Sequence, residues 1–191
     1  MPRSAAEPER SEVRAGDEGP WALLRHLERL GLGHREPLPA QEAARDVWSG
    51  VGFRIGGQHY VAALGDVAEI MTWPAVSRVP HTRSWVRGLA NVRGNLLPIL
   101  DLSAFLGRGE VAPSRLVRVL VIEQQGVNAG LLVDEVLGMR QFDQADWQES
   151  VSAEAGITPF LDGRFSTAEG EWPVFSMAAL ARHPRFLSVA D

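Results

Sequence analysis

Residues Pro98–Phe105 read PILDLSAF, and Pro173–Leu180 read PVFSMAAL, so a proline, two aliphatic or aromatic residues, a small polar residue and a short apolar run return after 75 positions. Upstream of each copy, Gly57–Val67 (GQHYVAALGDV) aligns position for position with Gly126–Val136 (GVNAGLLVDEV) at an offset of 69. Two recurrences in the same order define two copies of one unit, 51–107 and 115–182, with the unequal offsets absorbed by the acidic stretch after Met139.

Inside each unit the apolar period is two. Val51, Phe53 and Ile55 alternate up to Gly56-Gly57, and Tyr60, Ala62 and Leu64 continue beyond it, which predicts a hairpin. Leu64, Val67, Ile70 and Met71 recur at one-turn spacing, so a helical turn is expected over 65–71. A short helix is expected over 82–87, then a strand from Leu89, a turn at Arg93-Gly94-Asn95 and a strand from Leu96 to Leu102. Val117–Ile122 and Val127–Val133 form a hairpin around Gln125-Gly126, the first of them reading as a strand buried on both faces. Strands near 157–161 and 172–175, turned near Asp162-Gly163, and a helix over 177–182 complete the domain. Four or five short strands per unit are too few to cover both faces as an open sheet. A mainly β fold of two small closed barrels is therefore expected.

The flanks read differently. Residues 1–19 have the charged, proline-containing composition of a disordered tail. Residues 20–50 read as a helical extension and linker: Pro20 suits a first helical turn, Trp21, Leu24, Leu27 and Leu30 lie on one face, and Gly31 ends it. A further short helix is expected over 41–48, and residues 183–191 read as a tail.

Composition narrows the function. The 191 residues contain no cysteine, which removes disulfides, thiolate metal sites and a cysteine nucleophile. Apolar runs are far shorter than the ~20 residues that span a bilayer, and the first twenty residues lack a signal-peptide core, so a cytoplasmic protein without direct membrane insertion is expected. The five histidines show no metal-ligand spacing, no G-x-S-x-G elbow occurs, and the glycine-rich pieces lack a phosphate-binding pattern. No catalytic residue, metal or cofactor is expected.

All 19 basic residues are arginine, and the net charge is -5. From Arg78 to Arg118 seven arginines stand against Asp101 and Glu110, and from Gln141 to Trp172 seven acids stand against Arg164. Such asymmetry marks a docking surface more readily than a nucleic-acid footprint. Single-strand nucleic-acid binding remains the alternative, with Arg78, Arg83, Arg87 and Arg93 near Trp73 and Trp85.

Glu69 and Arg93 stand out from the rest. Glu69 follows the first hairpin beside Val67, Ile70 and Met71, and Arg93 occupies the next turn of the same unit. Folding that joins them would give an apolar patch rimmed by one oriented ion pair. Pro98 in the following strand places that strand at an edge or bulge, where a missing N–H has no partner to lose.

GFRIGGQHYVAALGDVAEI, Val79-Pro80, VRGLANVRGNLLPILDL and RVLVIEQQGVNAGLLVDEV together resemble the CheW-like adaptor domains of bacterial chemosensory arrays over about 51–182. NVRG followed by PILDL carries the resemblance most specifically. The part before the domain, PWALLRHLERLG and LPAQEAARDVWSGVGFRIGG, resembles more particularly the PilI-type adaptors of type IV pilus systems. The resemblance implies two five-stranded SH3-like barrels around a shared core and no enzymatic activity. It also implies a bridge between the cytoplasmic tip of a methyl-accepting chemoreceptor and the regulatory domain of a CheA-type histidine kinase, with recruitment to membrane-associated arrays and no nucleic-acid partner. The family's functional Glu falls on Glu69 and its receptor-sensitive Arg on Arg93, while Val67, Ile70, Asn91 and Gly94 occupy matching positions. Val92 replaces a more usual Leu.

Overall fold

The computed structural model describes residues 46–149, 153 and 156–190. The tail expected over 1–19, the helix expected from Pro20 and the expected linker as far as residue 45 lie outside the described residues; of the helix expected over 41–48 only 46–48 are described, and there Val47 and Trp48 open a strand instead.

Strands β1 (Val47–Ile55) and β2 (Gln58–Ala63) form the first hairpin, four residues earlier than the alternation from Val51 predicts. β3 (Glu69–Thr72) is followed by the hairpin of β4 (Val86–Val92) and β5 (Asn95–Asp101), then by that of β6 (Arg118–Gln124) and β7 (Val127–Val133). β8 (Glu135–Asp143), β9 (Trp147–Gln148), β10 (Leu161–Thr167) and β11 (Gly170–Phe175) complete the strands. Short helices α1 (Leu102–Phe105), α2 (Met177–Arg182) and α3 (Pro184–Leu187) follow β5 and β11.

One sheet has the order β3-β6-β7-β5-β4 and the other β8-β1-β2-β11-β10-β9. The repeat is visible in these orders, since β3, β6, β7, β5 and β4 correspond one to one with β8, β1, β2, β11 and β10. Neither repeat closes a sheet alone, however. The second repeat lends β6-β7 to the first sheet, and the first lends β1-β2 to the second, which corrects the expectation of barrels bounded by 51–107 and 115–182. The cause is the parallel pairing of β5 with β7 (Ile99 with Gly130) and of β11 with β2 (Val174 with Val61). A tight hairpin cannot supply a parallel neighbour, so each sheet draws it from the other repeat.

Alternation then divides the apolar residues among three cores. Val119 and Val121 of β6 fill the inside of the first sheet with Leu97, Ile99 and Leu132, while Leu120 and Ile122 face a central core between the sheets. Phe53, Phe105, Leu131, Phe160 and Phe175 also join that central core, and Val61, Phe142, Phe165 and Trp172 fill the second sheet. The strand over 117–122 is buried on both faces for this reason.

The repeated PILD and PVFS pieces have a common task. Asp101 accepts a hydrogen bond from the Ala104 N–H at 3.0 Å and caps α1; Ser176 accepts from the Ala179 N–H at 3.3 Å and caps α2. Asp101 is fully buried and also accepts from the Val111 N–H at 2.9 Å, tying the chain beyond α1 to the end of β5. Burial pushes its carboxyl above the ordinary carboxylate range, although these two donors and the Arg87 guanidinium, with Nε at 3.4 Å, pull the other way.

Four local expectations are corrected. Only Leu64–Asp66 forms a 3-10 turn, and Glu69 starts a strand, because Met71 reaches the first sheet's interior while Ile70 and Thr72 face outward at period two. Residues 82–87 form no helix; the Arg83 N–H is taken by the Val189 carbonyl, Thr82 bridges Ala190, and Trp85 is buried just before β4. The strand expected near 157–161 and its turn are both displaced: Thr158–Phe160 form a 3-10 turn, β10 starts only at Leu161, Asp162-Gly163 lies at a bulge in it against the Trp147 ring, and the hairpin turns at Ala168-Glu169. Residues 183–190 are no loose tail, since α3 buries Phe186 and places Arg185 over Trp85 and Phe105.

Two outcomes follow from this packing. Gly88 has φ +137°, and a Cβ there would lie 2.3 Å from the Ser77 carbonyl oxygen, so Gly88→Ala is expected to lower the urea-unfolding free energy by about 2–4 kcal/mol. Asp101 holds its proton more tightly in the folded chain than in the unfolded one. Its contribution to stability is thus complete below the usual value of 3.8 and is lost as pH rises through the raised one. Stability measured against pH is expected to be flatter across that window in Asp101→Asn, and lower by about 1–3 kcal/mol because an amide cannot accept from both N–H donors as the carboxylate does.

Candidate functional site

The β4–β5 hairpin closes with a two-residue loop. Val92 pairs with Asn95, and the residues between them, Arg93 and Gly94, have φ of +53° and +89°. Two positive φ angles mark the mirror-image turn whose twist suits a hairpin. The turn is therefore Arg93-Gly94, and Asn95 already belongs to β5. Asn91 Oδ1 accepts a hydrogen bond from the Gly94 N–H at 2.9 Å and locks the loop.

Held this way, Arg93 projects with 78% of its side chain exposed and donates from Nη2 to Glu69 Oε1 at 2.7 Å. Glu69 lies on β3 and Arg93 just beyond β4, the two outermost strands of the five-stranded order. Their contact requires the sheet to curl until its edges approach. Because the pair is solvent-exposed it contributes only about 0–1 kcal/mol to stability, so its main effect is to fix where both charges point.

Apolar groups adjoin the pair in sequence. Ile70, 43% exposed, follows Glu69 in β3 and takes the outward face, opposite to that of Glu69 and Met71. Val67 is half-buried and packs on the central core, so it supports the surface more than it forms it. The structure thus brings Glu69 and Arg93 into contact, places Asn91 and Gly94 in the turn that presents Arg93, and leaves Ile70 outward. Leu96, 71% exposed, escaped the sequence reading. Its signal is the strand period: Leu97 and Ile99 point inward, so Leu96 and Pro98 must point outward. Pro98 lies where β5 has β4 on one side only, since pairing with β7 starts at Ile99. Its missing N–H removes no ladder bond.

The second sheet carries a looser charged pair near its own hairpin turn, with its arginine at the counterpart of Met71 rather than of Glu69. Arg140 on β8, the counterpart of β3, approaches Glu169 in the β10–β11 turn at 4.0 Å, and Met139 beside it is 65% exposed. No group of three His, Asp or Glu side chains placed to hold a metal occurs among the described residues, and no helix among them is long and apolar enough to cross a membrane. His183 packs edge-on against Phe105 and Phe160, and His59 lies against Trp172 while hydrogen-bonding the Glu171 carbonyl, so both have structural roles.

Comparison with known proteins agrees with this architecture. Residues 49–185 match the CheW-like domain. The chain is 49% identical to protein PilI of Pseudomonas aeruginosa over 173 residues, which is 90% of this chain and 96% of that protein. It is 33% identical to protein FrzA of Myxococcus xanthus over 94 residues, 49% of this chain and 59% of that protein. The crystal structure of the scaffolding protein TtCheW from Thermoanaerobacter tengcongensis superposes with a TM-score of 0.65 at 24% identity, covering 72% of this chain and 94% of that one, and so shares the fold. With its CheW-like domain over 49–185 and its 49% identity to PilI along 90% of its length, the chain belongs to the CheW-like family.

Proposed function

We propose that this protein is a non-catalytic cytoplasmic adaptor that couples a methyl-accepting chemoreceptor to a CheA-type histidine kinase in a pathway controlling type IV pilus twitching motility. The observation that carries this reading is the 49% identity to PilI over nearly the whole of both chains. The exposed Glu69–Arg93 pair, with Ile70 and Leu96 exposed on strands of the same sheet, supports it by supplying what a docking surface needs: exposed apolar area and fixed, exposed charges.

The coupling works by population shift. An adaptor that holds the receptor tip and the kinase together transmits a change only if it binds one receptor state better than the other. Ile70 and Leu96 supply apolar contact, and Glu69 with Arg93 set register, because a misregistered partner would strand a charge without its complement. Recruitment to the membrane passes through the receptor.

The alternative, stacking of single-stranded nucleic acid on Trp73 or Trp85, finds little support. Trp85 is buried under Arg185 and Arg83, and Arg87 lies over Trp73. These rings are already covered.

Binding of the cytoplasmic fragment of the cognate chemoreceptor, measured by isothermal titration calorimetry, tests the surface. Arg93→Glu is expected to weaken binding at least tenfold with an unchanged circular-dichroism melt. Adding Glu69→Arg is expected to restore the internal pair without restoring affinity fully, because the partner's own charges stay as they were. Undiminished binding by Arg93→Glu would remove this surface from the receptor contact, and a collapsed melt would make Arg93 a structural residue.

A further inference from the structure

A cleft of about 660 Å³ lies where the irregular segment between β3 and β4 faces residues 110–113. Trp73, Arg78, His81, Arg83, Arg87 and Glu110 line it, together with apolar patches at Val76, Val79 and Pro113. It opens at the Val86 end of β4, whereas the Glu69–Arg93 pair stands at the Val92 end. Seven strand residues separate them by about 20 Å, so the cleft is a second surface.

Its charges have different duties. Arg87 is committed to the fold: Nη1 donates to Glu110 at 2.7 Å, Nε faces buried Asp101, and the guanidinium covers Trp73 at 5.7 Å. Arg78 is exposed and makes no ion pair among the described residues. His81, also exposed, is held at φ +56°, a left-handed conformation that a non-glycine residue adopts at some cost. The wall carrying Arg78 and His81 is held at both ends, by the Ser77–Leu89 bridge and by the clamp of residues 189–190 on Thr82 and Arg83. Between these anchors the backbone belongs to no sheet. Arg78, Arg83 and Arg87 stand against Glu110 in the lining, so the cleft is net positive in a chain of net charge -5.

We propose that this cleft binds an acidic peptide segment of a protein partner, with Arg78 and His81 meeting its carboxylates and Val76, Val79 and Pro113 taking an apolar side chain between them. Glu110 selects for this class. A compact polyanion would bring its whole charge against the Glu110 carboxylate, but an extended peptide spaces its carboxylates along the wall of Arg78 and His81 and passes Glu110 with backbone N–H groups. The open groove and the mixed lining fit a chain better than a small molecule. This site is additional to the receptor and kinase contacts proposed above and does not depend on them.

The test uses a dye-labelled peptide, Gly-Glu-Glu-Leu-Glu-Glu-Gly, read by fluorescence anisotropy against the full chain at low and moderate salt. The wild-type chain is expected to bind it, with affinity falling as salt rises. Arg78→Glu is expected to lose at least tenfold in affinity, and Arg78→Gln less. Arg140→Glu, the same charge change on the other sheet, is expected to bind as the wild type does, and the peptide with glutamines in place of glutamates is expected not to bind. Circular dichroism of each variant confirms folding, which exposed Arg78 does not govern. No binding at low salt, equal loss in Arg78→Glu and Arg140→Glu, or full displacement of the peptide by equimolar tripolyphosphate would each overturn the proposal, the last by showing a site for small anions.

Discussion

The parallel pairing of β5 with β7, and of β11 with β2, is the constraint on which the remaining structure depends. It forces each repeat to lend a hairpin to the other's sheet, so the two sheets cannot separate without breaking both. The same exchange puts a doubly buried strand, β6, between the inside of the first sheet and the central core, and explains why its residues alternate between two apolar environments rather than between apolar and water. An intertwined pair of small sheets has one stability, not two. Rigidity follows, and a rigid body is what an adaptor needs if a shift in one partner is to be felt by another.

On that frame the surface features are local consequences of hairpin geometry. A two-residue loop demands positive φ at both central positions, which glycine meets at Gly94 without cost and Arg93 meets against its preference. An arginine in such a place is oriented by backbone rather than by burial. Glu69 completes the orientation from the far edge of the curled sheet. The second sheet brings Arg140 to 4.0 Å from Glu169 in its own hairpin turn, but Arg140 stands at the counterpart of Met71, so this pair is not the equivalent of Glu69 with Arg93.

Much of this is legible in the residues. The PILDLSAF and PVFSMAAL repeats announce a twofold design, and they recur because each places a helix-capping side chain, Asp101 or Ser176, at the same corner. The meeting of Glu69 with Arg93 was readable from their places in one unit. The exchange of hairpins was not, because strand alternation says which face a residue takes but not which strand lies beside it. The helix expected over 82–87 failed for a similar reason: residues 189–190 capture Thr82 and Arg83 by contacts about a hundred positions away, and no local spacing encodes them. Leu96 was passed over inside an apolar run whose alternate members are buried, although its outward direction follows from Leu97 and Ile99 once β5 is paired.

In the function proposed, this protein makes a histidine kinase responsive to a chemoreceptor without chemistry of its own. The most direct measurement is kinase autophosphorylation in a reconstituted mixture of receptor-bearing membranes and the cognate CheA-type kinase, with the chain present or absent. The account predicts that receptor-dependent change in phosphorylation rate requires the chain and disappears when it is left out. Receptor control that persists undiminished without the chain would contradict it.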